Sequence, residues 1–154
     1  MKKILPFIIL TVMGCSTQQV KITDSDVIKT VEGLFEAIDA ENENPKLIDN
    51  YVTKDFILFE ADRKMNKEEF LEFVSGFPII ESDWELSDFR ISTDVNSAHI
   101  SLFNTGHFVL QTDSIKMKQK YEWMESAYLV REENKLKIKF YSSDNISVVT
   151  DTIN

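Results

Sequence analysis

The spacing of apolar residues near the start of the chain predicts an amphipathic helix. Apolar side chains recur every three or four positions over about 25–40, the spacing that places them on one helix face. They are Val27, Val31, Leu34, Phe35 and Ile38. The segment from Thr23 to Ser25 supplies candidates for the N-cap residue just before them.

Two more helices and one strand are predicted before residue 77. Pro45 stands where it would occupy the first turn of a second, short helix. The run 55–60 (DFILFE) is short, apolar and rich in strand-forming residues, so we expect a strand there. Asn66 and Glu69 have the spacing of a capping box, which predicts a third helix over about 66–76.

The remainder of the chain has the pattern of long antiparallel strands joined by polar turns. The predicted strands cover about 83–94, 97–111, 115–131 and 135–143. In the last strand, Leu136, Ile138 and Phe140 alternate with lysines, which predicts one buried and one exposed face. The element order therefore indicates the α+β class, with three N-terminal helices packed on a curved antiparallel sheet and a cavity at the open end.

Strand alternation also predicts which side chains face the cavity. The strand over 97–111 points Ala98, Ile100 and Leu102 inward, so Asn104 is expected inward as well. In the following strand Trp123 and Glu125 share a face, but neither face of that strand is purely apolar. Alternation alone therefore leaves open which face lines the cavity, since a bulge would reverse it.

The first fifteen residues have the pattern of a bacterial leader. Lys2 and Lys3 precede a short apolar run, and Gly14 stands before Cys15, the single cysteine of the chain. The run is too short to span a membrane, which takes about 20 apolar residues. The sequence Val-Met-Gly-Cys ending at Cys15 resembles the lipobox of bacterial lipoproteins. That resemblance implies cleavage before Cys15 and acylation of its sulfur and new amino terminus.

The leader defines the predicted organisation of the chain. It implies a signal peptide at 1–14, a lipidated tether at 15–24 and one folded domain at 25–154. The protein is then expected in the bacterial cell envelope, periplasmic or at the outer membrane, attached to a membrane through its N-terminal lipid. In the alternative interpretation, Cys15 is an unused thiol in a signal peptide that is cleaved elsewhere or not at all.

Composition and charge exclude several classes of function. The formal net charge of −9 disfavours nucleic acid as a partner, because phosphate backbones would be repelled. With two histidines and Cys15 assigned to lipid, no metal site is expected. The chain has four glycines and no phosphate-binding loop, so no cofactor is expected either.

Three segments resemble the SnoaL-like domain of the nuclear-transport-factor-2-like superfamily. They are 31–74, 84–102 and 121–143. The resemblance implies an α+β cone with a pocket between the sheet and the first helix, and frequent dimerisation through the convex sheet face. The chain departs from the family pattern at 133–136, where Glu-Asn-Lys-Leu replaces the usual Asp-Gly-Lys-Trp turn. The resemblance implies no single function, since the same cone carries enzymes and binding domains.

Seven residues are the candidates for the cavity wall. They are Phe35, Tyr51, Phe59, Trp84, Asn104, Trp123 and Glu125. If Glu125 is inward and desolvated, its pKa would rise and it could act as a base. The simpler interpretation is a surface glutamate on a solvated or dimer-facing strand, so no catalytic residue is assigned.

Three functional hypotheses remain open from the sequence. The favoured one is a lipid-anchored module that binds a small apolar ligand or a partner protein. The second is a small enzyme of isomerase or dehydratase type that uses a pocket carboxylate. The third is a homodimeric scaffold that associates through the convex face of the sheet.

Overall fold

The computed structural model describes residues 21–113 and 115–153. Two α-helices are present there, α1 (Asp24–Ile38) and α2 (Lys67–Ser75), with a 3-10 helix at Leu47–Asn50. The strands are β1 (Val52–Glu60), β2 (Arg63–Asn66), β3 (Ile79–Thr93), β4 (Ser97–Gln111), β5 (Lys116–Glu132) and β6 (Lys135–Ile153). The predicted signal peptide, and Cys15 with its lipid, lie outside the described residues.

The six strands form one curved sheet in the order β2-β1-β6-β5-β4-β3. Neighbouring strands are antiparallel except for β1 and β6, which run parallel. The two α-helices pack on one face of this sheet, and α1 contacts β3 and β6. The predicted α+β cone is therefore confirmed at the level of the fold.

The prediction of three helices is wrong. The segment after Pro45 forms a single four-residue 3-10 turn, in which the Tyr51 N–H donates to the Ile48 carbonyl. Its N-cap position, Lys46, makes no capping hydrogen bond through its side chain. A segment this short, entering β1 at once, closes with i to i+3 hydrogen bonds and does not propagate into an α-helix.

Both α-helices begin at the predicted capping residues. In α1, Thr23 Oγ1 accepts from the Asp26 N–H at 3.2 Å, and the Asp26 carboxylate accepts from the Thr23 N–H at 2.9 Å. In α2, Asn66 and Glu69 make the same reciprocal pair at 2.9 and 2.8 Å. These bonds satisfy N–H groups that the first helical turn leaves without a partner.

Along β4 and β5, the side chains on one face of the sheet are more deeply buried than those on the other. On the inner face, which packs against the helices, Ile100 and Leu102 of β4 and Ala127 of β5 are buried. On the outer face, Phe103 and Tyr128 are exposed. The predicted alternation of β4 is confirmed, and the side that strand alternation left open for β5 is decided by its pairing with β4.

A β-bulge in β6 changes which residues face inward. Ile138 pairs with Leu129 and Phe140 pairs with Tyr128, so Lys139 is an extra residue without a cross-strand partner. The predicted alternation is therefore right at Ile138 and wrong at Phe140, which lies on the outer face. The next inward residue is Tyr141, which is buried.

Lys137 also departs from the predicted exposed face of lysines. It is only 7% exposed, and its Nζ lies 3.3 Å from Glu132 Oε1. The ion pair lowers the cost of burying the ammonium group, and the aliphatic part of the lysine side chain is itself apolar.

The predicted bounds are right for β4 and within one residue for β5, whereas β1, β3 and β6 are longer than predicted and β2 was not predicted. β6 runs to Ile153, paired with β5 over most of its length, and β2 is a short edge strand. β2 and the part of β6 after residue 143 have no regular apolar alternation, so only pairing with a neighbour identifies them as strands. Among the described residues, no helix is long and apolar enough to cross a membrane.

Candidate functional site

A cavity of about 1440 Å³ lies between the inner face of the sheet and the two α-helices. Five of the aromatic residues in its wall lie close together, namely Phe35, Trp84, Phe108, Tyr121 and Trp123. Trp84 contacts Phe35 and Phe108 at centroid distances of 4.9 and 5.0 Å. Tyr121 stacks on Trp123 at 5.1 Å with an interplanar angle of 8°. The five rings thus form one aromatic cluster on one side of the cavity.

Gly106 on β4 makes this aromatic cluster possible. A Cβ at this position would lie 2.6 Å from the Phe108 ring and 2.8 Å from the Trp123 ring. Gly106 pairs with Trp84 on one side and Tyr121 on the other, so the rings converge over a residue that has no side chain.

Glu125 is the most deeply buried carboxyl group on the cavity wall, with 4% of its surface exposed. Tyr141 donates a hydrogen bond of 2.7 Å to its Oε2, and Ser143 donates one of 3.3 Å to its Oε1. Burial raises the pKa of Glu125 to about 7, although the hydrogen bond from Tyr141 opposes the shift. Near neutral pH this carboxyl can therefore both accept and release a proton.

A second carboxyl group, that of Glu60, stands near Glu125. Glu60 ends β1, directly after Phe59, which pairs with Ser142 of β6. Burial raises the pKa of Glu60 to about 7, and its charge also raises the pKa of Glu125. The two groups are thus close enough to repel each other when both are ionised.

Two buried polar groups near the site make no well-aligned hydrogen bond to any described residue. The Trp84 Nε1 is one, and the other is the amide of Asn104, whose residue is 1% exposed. The Asn104 amide lowers the pKa of Glu125, which places it near that carboxyl, although no well-aligned hydrogen bond joins the two side chains. Buried polar groups usually have a partner, and Trp84 lines the cavity, so its Nε1 is available to a ligand.

Four of the predicted candidates, Phe35, Trp84, Trp123 and Glu125, line the cavity together. Asn104 lies on the inner face between Leu86 and Trp123 but outside the lining.

The other two candidates have different surroundings. Tyr51 is outside the lining because its ring packs against Gly33 of α1, where a Cβ would collide with it. Phe59 borders the cavity but is 43% exposed, and its ring contacts Phe140 of the outer face at 5.6 Å.

The seven cavity candidates chosen from the sequence do not include Glu60, Tyr141 or Ser143. Glu60 had a usable signal, since it follows Phe56 and Leu58 at inward-facing positions of β1. Tyr141 and Ser143 had none, because the bulge at Lys139 reverses the alternation that sequence reasoning relies on. The simpler interpretation of Glu125 as a surface residue is also wrong, since its side chain is buried on the inner face.

The site combines an apolar wall with two ionisable carboxyl groups and the unpartnered N–H of Trp84. In the described part of the chain, no three His, Cys, Asp or Glu residues are grouped so as to hold a metal ion. The available chemistry is therefore binding of an apolar molecule, hydrogen bonding to its polar group, and proton transfer by a carboxyl.

We expect the buried Glu125 to make stability depend on pH. Because its pKa is raised in the native state, its protonated form is favoured there, and its contribution is lost as pH rises through about 7. From pH 5 to pH 8 the wild type should lose about 2–3 kcal/mol of unfolding free energy relative to Glu125→Gln, which does not titrate. Urea denaturation at both pH values measures this difference.

The matched control for this experiment is Glu43→Gln, which changes an exposed carboxyl in the loop after α1. It should keep the pH dependence of the wild type. Equal pH dependence in the wild type and Glu125→Gln would contradict the burial of this carboxyl.

Comparison with known proteins identifies the fold. Neither protein-family models nor curated proteins match the chain. Among solved structures, the hexachlorocyclohexane dehydrochlorinase LinA-type3 from Novosphingobium barchaimii LL02 is similar, with a TM-score of 0.66 and 9% identity over 82% of this chain and 88% of that one. The S. rosetta CaMKII hub has a TM-score of 0.65 and 14% identity over 82% of this chain and 100% of the other.

An NTF2-like protein from Cytophaga hutchinsonii is also similar, with a TM-score of 0.58 and 16% identity over 81% of this chain and 100% of that chain. At these identities the likeness concerns the fold and not the activity. The chain thus has the α+β cone fold of nuclear-transport-factor-2-like proteins.

Proposed function

We propose that this protein binds a small, mostly apolar molecule in the cone. The observation that carries the proposal is the cavity itself, with its aromatic wall and the buried carboxyl of Glu125. Ligand sites in proteins are typically concave, largely apolar and furnished with a few placed polar groups. The volume of about 1440 Å³ exceeds the roughly 300–1,000 Å³ of typical sites, so a ligand of drug size fits.

The polar groups give the ligand an orientation. Its apolar body would lie against Trp84 and Trp123, and one polar atom would face Glu125. The unpartnered Trp84 Nε1 supplies a hydrogen bond that the described part of the protein does not use. Such a bond contributes about 0.5–1.5 kcal/mol to affinity.

A neutral fluorescent probe, N-phenyl-1-naphthylamine, tests the proposal. We expect its emission to rise on binding to the wild type, and its affinity to fall at least tenfold in Val74→Trp. Val74 lines the cavity and is partly buried, so the larger ring would occupy ligand space. Val95→Trp is the matched control, because Val95 lies in the exposed turn between β3 and β4. No probe binding to the wild type, or equal loss in both variants, would contradict the proposal.

Proton transfer on the bound molecule is the second candidate function. The specific observation is that Glu60 and Glu125 share the cavity wall and both have a pKa of about 7. A general base is most effective when its pKa lies near the working pH. One protein of similar fold is a dehydrochlorinase, and the elimination that this name denotes also removes a proton from carbon.

Exchange of the methyl protons of acetophenone in D₂O tests this second function. The wild type should accelerate the exchange, measured by proton NMR at neutral pD. Glu125→Gln should abolish the acceleration because it keeps the shape of the side chain and removes the base. If the wild type leaves the exchange rate unchanged, simple binding is the better description.

We also propose that Cys15 anchors the protein to a membrane of the bacterial cell envelope. The support is the basic and apolar leader before Gly14 and Cys15. Cys15→Ser should prevent acylation, so the protein expressed in bacteria should leave the detergent phase, whereas Ser16→Ala should remain in it. An intact mass without added lipid in the wild type would contradict anchoring.

A homodimer through the outer face of the sheet remains our proposal for the oligomeric state. Several apolar side chains are exposed there, including Phe103 and Met124, which is 52% exposed. In sedimentation velocity, the wild type should run as a dimer and Met124→Glu as a monomer, because a charge would be buried at the interface. Val95→Glu, outside this face, should remain dimeric. A monomeric wild type would contradict the proposal.

A further inference from the structure

The carboxyl groups of Glu60 and Glu125 lack a cationic partner. Neither forms an ion pair with any described residue. Glu125 is nearly fully buried, and Glu60 is half-buried beside it. Buried carboxylates in proteins are usually paired with a cation, since desolvation of an unpaired charge is costly. When they are ionised, these two carboxyls therefore have no positively charged partner among the described residues.

The rest of the cavity lining is also acidic. Its carboxyl groups belong to Asp39, Glu60, Asp62, Glu72, Glu125 and Asp144. The one basic residue in the described lining is Arg63, and its guanidinium lies 5.5 Å from the centre of the Phe73 ring. These carboxyl groups come from the residue after α1, from β1, the β1–β2 turn, α2, β5 and β6, so acidic groups line several sides of the cavity. An anionic ligand would be repelled, and a cationic one attracted.

The aromatic wall favours the same class of ligand. Trp84, Trp123 and Tyr121 line the cavity, and aromatic rings attract a cation held within about 6 Å of their centres. Indole rings are the strongest of the natural side chains in this respect. Trp123 and Glu125 are two residues apart on the inner face of β5. Aromatic rings beside a carboxylate suit an organic ammonium group, because the rings bind its alkyl substituents and the carboxylate balances its charge.

We propose that the cavity selects a small organic cation, in which an amine or quaternary ammonium group is carried on an apolar body. Glu60 and Glu125 serve as its counter-charges, and the aromatic cluster receives its apolar part. This inference rests on the proposed binding function and names the chemical class of the ligand. Metal cations fit less well, since the described residues hold no group of three metal-ligating side chains.

The test compares phenyltrimethylammonium with its neutral isostere tert-butylbenzene. Both are titrated into the full-length protein, with quenching of tryptophan fluorescence as the readout. Trp84 and Trp123 are the two tryptophans of the chain and both line the cavity, so the signal reports the site. At pH 8 the cation should bind at least tenfold more tightly than the isostere. The double variant Glu60→Gln/Glu125→Gln should lose this preference.

The pH dependence is a second measurement that needs no variant. A bound cation favours the ionised carboxyls, so protons must leave when it binds below pH 7. Each of the two carboxyls has a pKa of about 7 and must be ionised to balance the cation. For each of them, affinity for the cation should therefore rise about tenfold from pH 6 to pH 8. Affinity for tert-butylbenzene should not rise. Glu133→Gln, an exposed carboxyl in the β5–β6 turn, is the charge control and should behave as the wild type.

The outcomes separate this inference from the proposed function. If the isostere binds as tightly as the cation, or if the double variant keeps the preference, the cation inference is overturned and binding of apolar molecules stands. If neither tert-butylbenzene nor N-phenyl-1-naphthylamine nor the cation binds, both proposals are overturned.

Discussion

The extra residue at Lys139 is the constraint on which the site depends. Without it, alternation from Ile138 would turn Phe140 and Ser142 toward the helices. With it, Tyr141 and Ser143 face inward and bond to Glu125 from the neighbouring strand. A bulge adds one residue to one strand and so reverses the side chains that follow it, here as far as a second register shift between Asn145 and Ser147. The hydrogen bonds that hold the buried carboxyl therefore follow from one irregularity in the ladder.

Two opposing effects act on the pKa of the buried Glu125. Removing the carboxyl from water favours its protonated form, and the phenol of Tyr141 favours the ionised one. Desolvation is the larger effect, so the group titrates near neutrality and not in the usual range of carboxyls. Glu60 adds repulsion from the same side of the cavity. Repulsion between like charges is typical of binding and catalytic sites, where it contributes to affinity or chemistry and not to stability.

The cavity and the aromatic cluster share a structural cause. Gly106 provides space over which Trp84, Phe108 and Trp123 converge, so these rings pack on one side and leave the centre of the cone open. The helices close the other side through α1 and α2, whose capping boxes define where each helix begins. A rigid apolar wall with a few unpaired polar groups is suited to select one ligand, since little reorganisation accompanies binding.

The sequence by itself determined the local elements and the fold class. Helical spacing, capping pairs and strand alternation located both α-helices, the long strands and the inward direction of Asn104, because these depend on neighbours along the chain. Only the tertiary structure decided the short 3-10 turn, the position of β2, the inward side of Glu125 and its partners Tyr141 and Ser143. Those features depend on cross-strand register, which is set by contacts between residues far apart in sequence.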